Sequence, residues 1–185
     1  SCFYSCEGLT GIKCEQLDSM GELIFAYSTS LKQIVLGDKV TDIGAGIIEG
    51  CTSLQSLTLS AEKPPTLIKA SYYSPYSFGE GTPEEFRILL TGNASADDYI
   101  DKWKYFVAGY EEGEELSEEE ELLSINYIRR LFGMEQITEL PEKEETENPG
   151  EDGAASEPAD SVESSDTVDG AEQEIQIQEN KTRLE

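Results

Sequence analysis

Three segments of the chain superimpose without a gap, and this restricts the fold more than any other feature. They are "FYSCEGLTGIKC" from Phe3, "FAYSTSLKQIVL" from Phe25 and "IEGCTSLQSLTL" from Ile48, with starts 22 and 23 residues apart. In each, Leu9, Leu31 or Leu54 is followed three positions on by Ile12, Ile34 or Leu57, and two further on by Cys14, Leu36 or Leu59. The last step is a strand signature, because residues two apart in an extended chain face the same way. Between these strands a second apolar pair recurs before a glycine, as Leu17, Met20, Gly21 and again as Val40, Ile43, Gly44, which predicts a brief extended piece closed by a turn. A coil of about this length cannot bury its apolar edge alone, so neighbours must stack and the stack must be closed at its ends.

"GCTSLQSLTL" and "LKQIVLGDKVTDIG" together resemble the BspA-like class of leucine-rich repeats, known from bacterial surface proteins and some protists. Cys51, Leu54, Leu57 and Leu59 fit the family pattern and Cys6 fits its cysteine position, whereas Ser28 departs from it and Ile48 stands where an aromatic is usual. The resemblance covers residues 2–60 and implies a leucine-rich-repeat solenoid, β-rich with an α/β cap. It also implies a non-catalytic recognition module of a bacterial surface or secreted protein, whose partner is a protein or a glycan on a host or neighbouring cell. A structural spacer presenting another domain is the alternative.

The expected organisation is repeats over 1–60, a capping unit over 61–110, a helical extension over 111–140 and a disordered acidic tail over 141–185. In the capping unit "FRILL" supplies a closing strand and "SADDYIDKWKYF" a covering helix. Ser95 can cap that helix, acidic residues sit in its first turn, and Tyr99 and Trp103 share a face at i, i+4. No equivalent cap precedes Phe3, so further repeats are expected upstream, with an apolar end exposed where they are missing. In "LSEEEELLSINYIRRLFG" Ser117 and Glu120 make a capping box, Arg129 and Arg130 sit near the end and Gly133 can terminate the turn, predicting a helix over 117–132. Its apolar face is wide enough to dock, with the cap as nearest candidate. After Pro141 too little apolar surface remains to offset ordering entropy, and "EIQIQ" is too short to carry a domain.

Charge divides along the same boundary. Residues 1–110 carry 14 acidic and 8 basic side chains, residues 111–185 carry 25 and 5, and the whole chain has a formal charge of −26. Such a chain repels phosphate and lacks a basic stripe, so nucleic acid is not an expected partner. No run of about 18 apolar residues occurs, so no membrane insertion is expected within this stretch. Histidine is absent, leaving an enzyme few general bases, and the paired Asp97 and Asp98 are better explained by a helix start than by catalysis; no enzyme activity and no cofactor are expected.

The four cysteines, Cys2, Cys6, Cys14 and Cys51, admit three readings: unpaired buried structural thiols, a Cys2 to Cys6 bridge, or a metal site. Register favours the first, because Cys6 and Cys51 sit two repeats apart, about 10 Å at strand spacing and beyond disulfide reach. Two features could bind a partner. Lys13, Val35 and Thr58 lie between inward residues and must point outward, as a ladder across three repeats that is either a binding face or an ordinary solvated one. "SYYSPYSFGEG" offers Tyr72, Tyr73 and Tyr76, either as amphipathic contact residues or as rings folding back onto the cap. Sequons at Asn93 and Asn180 matter only where the source glycosylates them.

Overall fold

The computed structural model describes residues 2–69 and 76–141. Along the chain run β1 Gly11–Cys14, β2 Ser19–Met20, β3 Gln33–Leu36, β4 Asp42–Gly44, β5 Ser56–Leu59, β6 Thr66–Ile68, β7 Arg87–Leu90, α1 Ala96–Ala108 and α2 Glu118–Leu131. The strands divide by position within the repeat. One parallel sheet has the order β1-β3-β5-β7 and the other β2-β4-β6. Every strand pairs with the equivalent strand one coil away, in unbroken register from Ile12 to Ile34, Leu57 and Ile88.

A third row of backbone hydrogen bonds joins the coils at a corner away from both sheets. Phe3 N–H donates to Ile24 O at 3.1 Å, Phe25 N–H to Ile47 O at 3.0 Å and Ile48 N–H to Phe78 O at 3.0 Å. Two residues on, Ser5, Tyr27 and Gly50 donate to Ala26, Glu49 and Glu80. Those three donors have φ of 53°, 58° and 64°, and Gly81 continues the column at 80°. The corner therefore requires a left-handed residue in every coil, which glycine adopts freely and tyrosine only at a cost of about 1 kcal/mol.

Side chains cross between coils beside this corner. Ser28 Oγ donates to Phe3 O at 2.8 Å and accepts from Cys6 N–H, and Cys51 Sγ donates to Phe25 O at 3.2 Å. The position that reads as cysteine in sequence thus needs a small donor aimed one coil back. Serine supplies the same bond, which is why Ser28 is tolerated there.

The repeat geometry runs beyond residue 60. Leu67 extends the second sheet, Phe78 and Glu80 extend the corner row, and β7 adds a fourth rung to the first sheet. The step from Leu57 to Ile88 is eight residues longer than the step from Ile34 to Leu57. This lengthening, all but one residue of which falls between β6 and the corner, hides the fourth coil from an ungapped superposition.

The core lies between the two sheets and the corner. Leu31, Ile34, Leu36, Ile43, Ile47, Leu54, Leu57 and Leu59 are fully buried, whereas Leu9, Ile12, Cys14 and Leu17 in the first coil are only partly so. At the other end α1 sits on the segment after β5. Tyr99 O–H donates to Ala61 O at 2.7 Å, Lys102 Nζ to Pro64 O at 3.1 Å and Trp103 Nε1 to Pro65 O at 2.9 Å. These edge carbonyls have no following strand to pair with, and one face of the helix supplies their donors. Trp103 is fully buried, with ring contacts to Phe78, Tyr99 and Phe132.

Helix α1 begins at Ser95, whose side chain accepts from Asp98 N–H, and ends at Gly109 in the left-handed region. Helix α2 begins with the expected capping box between Ser117 and Glu120, and it packs against α1 and β7. Two polar clusters fix it there. Lys104 Nζ lies 2.9 Å from both Asp101 and Glu121, and Tyr110 O–H donates to Glu120 at 2.7 Å. Burial alone would push the Glu120 carboxyl up, but the bonds from Ser117 Oγ, Tyr110 O–H and Ser117 N–H outweigh it and hold the group below its usual value. Burial and the neighbouring Glu120 push Tyr110 up to about 12. The expected acidic tail, including "EIQIQ" and the Asn180 sequon, lies outside the described residues.

Candidate binding face

Parallel pairing in register converts the period of the repeat into straight rows on the outer side of the first sheet. Lys13, Val35 and Thr58 form one row, as the alternation predicts, and Leu89 completes it. Beside it run Gly11, Gln33, Ser56 and Arg87. Exposure grows toward the ends: the Lys13 side chain is 62% exposed and Leu89 is 47% exposed, while Val35 and Thr58 between them are half-buried. Leu89 and Arg87 were hidden from the sequence alignment by the lengthened fourth coil, although "FRILL" carries the alternation that places them.

These eight outward strand residues include no carboxylate and two cations, in a chain with 39 Asp and Glu. Lys13 is paired with Glu15 just past its strand at 2.7 Å, and Arg87 Nη1 donates to the carbonyls of Glu84 and Phe86. The acids gather instead where the strands end. There Glu15, Asp38 and Glu62, with Gln16, Ser60 and Asn93, line a polar trough of about 620 Å³. The face is thus a neutral to basic strip bordered by an acidic rim.

The tyrosine segment divides differently. Tyr72 and Tyr73 lie outside the described residues. Tyr76 is fully buried: its N–H donates to Phe106 O at 3.2 Å, its hydroxyl to Gly44 O at 3.3 Å, and its ring meets Phe78 edge-on. It is therefore not an exposed contact residue. An aromatic followed two residues on by another, just ahead of the coil corner, alternates inward like the apolar residues of the other coils, so the ring packs under α1.

All four thiols are free. Only Cys51 is fully buried; Cys6 and Cys14 are half-buried and Cys2 is exposed, and among the described residues the first coil packs against a neighbour on one side. Burial raises the pKa of both Cys14 and Cys51, which disfavours the thiolate a nucleophile or metal ligand would need. Among the described residues no group of three His, Cys, Asp or Glu side chains is placed to hold a metal, and no helix is long and apolar enough to cross a membrane.

Residues 1–77 match the family model of the BspA type leucine rich repeat region (6 copies). The repeat segment is of the BspA type. The match extends past residue 60, in keeping with the strand at Thr66–Ile68 and the corner bonds of Ser77 and Phe78. BspA-type leucine-rich repeats are generally non-catalytic interaction modules, typical of bacterial cell-surface proteins. No curated protein and no solved structure matches the chain.

Proposed function

We propose that the chain is a non-catalytic recognition module in which BspA-type repeats form a solenoid, capped at one end by α1 with α2 and recruiting a protein at a bacterial surface or in the secreted medium. The observation that carries this reading is the outer sheet face. Two in-register rows, Lys13, Val35, Thr58, Leu89 and Gly11, Gln33, Ser56, Arg87, give a surface free of carboxylates in a strongly acidic chain. Stacked coils present such faces as continuous contact surfaces without any catalytic group. Val35 and the hydroxyls of Ser56 and Thr58, between end rungs that carry Lys13 at one side and Arg87 with Leu89 at the other, suit a neutral or acidic protein surface.

The test is retention of purified matrix proteins and immobilised glycans by the chain, repeated with Lys13→Glu combined with Thr58→Glu. Loss of a retained protein in this variant, with unchanged thermal unfolding, supports the proposal. Retention of glycans alone, or binding indifferent to the substitutions, counts against it. The half-buried Phe3, Leu9 and Ile12 favour a second reading, a spacer that continues into other coils. That reading stands if nothing is retained.

A further inference from the structure

A second surface lies between α1, α2 and the segment that follows α2. It is an open groove of about 800 Å³ whose floor is made by Ile100, Ile125, Ile137 and Leu140. Its wall is built and not incidental: Asn126 holds the backbone of Ile137 by a pair of 2.8 Å bonds, donating from Nδ2 to Ile137 O and accepting from Ile137 N–H at Oδ1. On the far bank Lys104 is held by Asp101 and Glu121, so its charge is spent within the wall. Arg129 Nε donates to the backbone Glu135 O at 2.6 Å, and among the described residues its guanidinium is the one cation of the lining without a carboxylate contact, set against Asp97 and Glu139. The exposed carboxylates Asp97 and Glu139 remain on the two rims.

We propose that this groove takes a basic amphipathic helix of a partner protein, with apolar residues on the isoleucine floor and Lys or Arg side chains against Asp97 and Glu139. The dimensions agree. From Asp97 to Lys104 and from Glu121 to Arg129 the walls span seven or eight helical steps, roughly 11 Å, enough for about two turns of an inserted helix. An apolar stripe at i, i+3, i+4 and i+7 fits such a floor. Charge selects among occupants. Residues 142–185 carry 15 acidic and 3 basic side chains, so the chain's own C-terminal segment is repelled by the rims, and a second copy brings a formal charge of −26.

The probe is a synthetic helix with leucines at i, i+3, i+4 and i+7 and lysines on its remaining face, titrated into the full chain with isoleucine methyls labelled for NMR. Saturable shifts of Ile100, Ile125 and Ile137, with Ile34 and Ile43 unmoved, are expected. Asp97→Lys combined with Glu139→Lys weakens binding about fivefold, and added salt weakens it in the native chain. Several results overturn the proposal. One is equal binding of the counterpart with glutamate for lysine, and another is shifts confined to other sites. Contacts from Ile175 or Ile177 to the groove isoleucines in the free chain would instead make the C-terminal segment the occupant. Concentration-dependent shifts without peptide would make it a second copy.

Discussion

The two ends of the four-stranded sheet carry the same kind of strand and differ in what lies beyond it. In the first coil Ile12 is half-buried, while its counterpart in the fourth, Ile88, is 2% exposed with α2 packed beside β7. Ile12 and Ile88 hold the same register position, so their difference in burial comes from what packs beside them. The comparison also separates two ways of finishing a stack. The interior coils are held by rows of equivalent bonds, each rung resembling the next, whereas the helical end depends on single side chains such as Trp103, Tyr99 and Lys102 that occur once.

That contrast breaks first at Trp103. Trp103→Ala removes a fully buried ring and the donor to Pro65 O, and should cost about 3–5 kcal/mol, seen as a large fall in the midpoint of urea unfolding. An unchanged midpoint would mean that α1 does not close the stack. The same measurement on equivalent leucines sharpens the other side: Leu31→Ala should cost about 2–5 kcal/mol and Leu9→Ala about 1, although both occupy the same position in the repeat. Equal losses would mean that burial does not set the cost at this position of the repeat.

Ser28 tests whether the rungs are interchangeable. Ser28→Ala leaves Phe3 O without its donor and Cys6 N–H without its acceptor, for a loss of about 1–2 kcal/mol, while Ser28→Cys should restore most of it in the same unfolding assay. Glu120 probes the helical end through pH. Its carboxyl is held below its ordinary value when folded, so its contribution is complete above the unfolded value near 4.5 and is lost as pH falls through the lower folded value. Glu120→Gln should therefore flatten the acid side of a stability profile and leave the neutral side nearly parallel to the native one. The smallest effect is expected at Ser124, whose buried hydroxyl has no hydrogen-bond partner; Ser124→Ala should be neutral or stabilise by up to about 1 kcal/mol.

Much of the fold was legible because the coil signal is periodic. The spacing of Leu31, Ile34 and Leu36 fixes strand, facing and register at once, and the capping residues Ser95 and Ser117 mark where both helices begin. The fourth coil was not legible, because its lengthening displaces Ile88 and Leu90 from the frame in which the other coils align and Glu85 stands where they have leucine. The sheet face could be read at Lys13, Val35 and Thr58 and missed Leu89 and Arg87 for the same reason. Tyr76 misled by composition: a segment rich in Tyr, Ser and Pro resembles a contact loop, yet whether a ring faces out depends on α1, some 25 residues downstream. The groove between α1 and α2 has no period at all, and single contacts such as the pairing of Asn126 with Ile137 bring its far wall into place.

The lengthened coil has a bearing on how such a protein can change. All but one of its extra residues enter between β6 and the corner, and the corner bonds resume at Ser77, Phe78 and Glu80, so the next strand stays in step. Evolution, or an engineer, can therefore write new surface into one coil as a parenthesis, and the chain closes it without disturbing its neighbours.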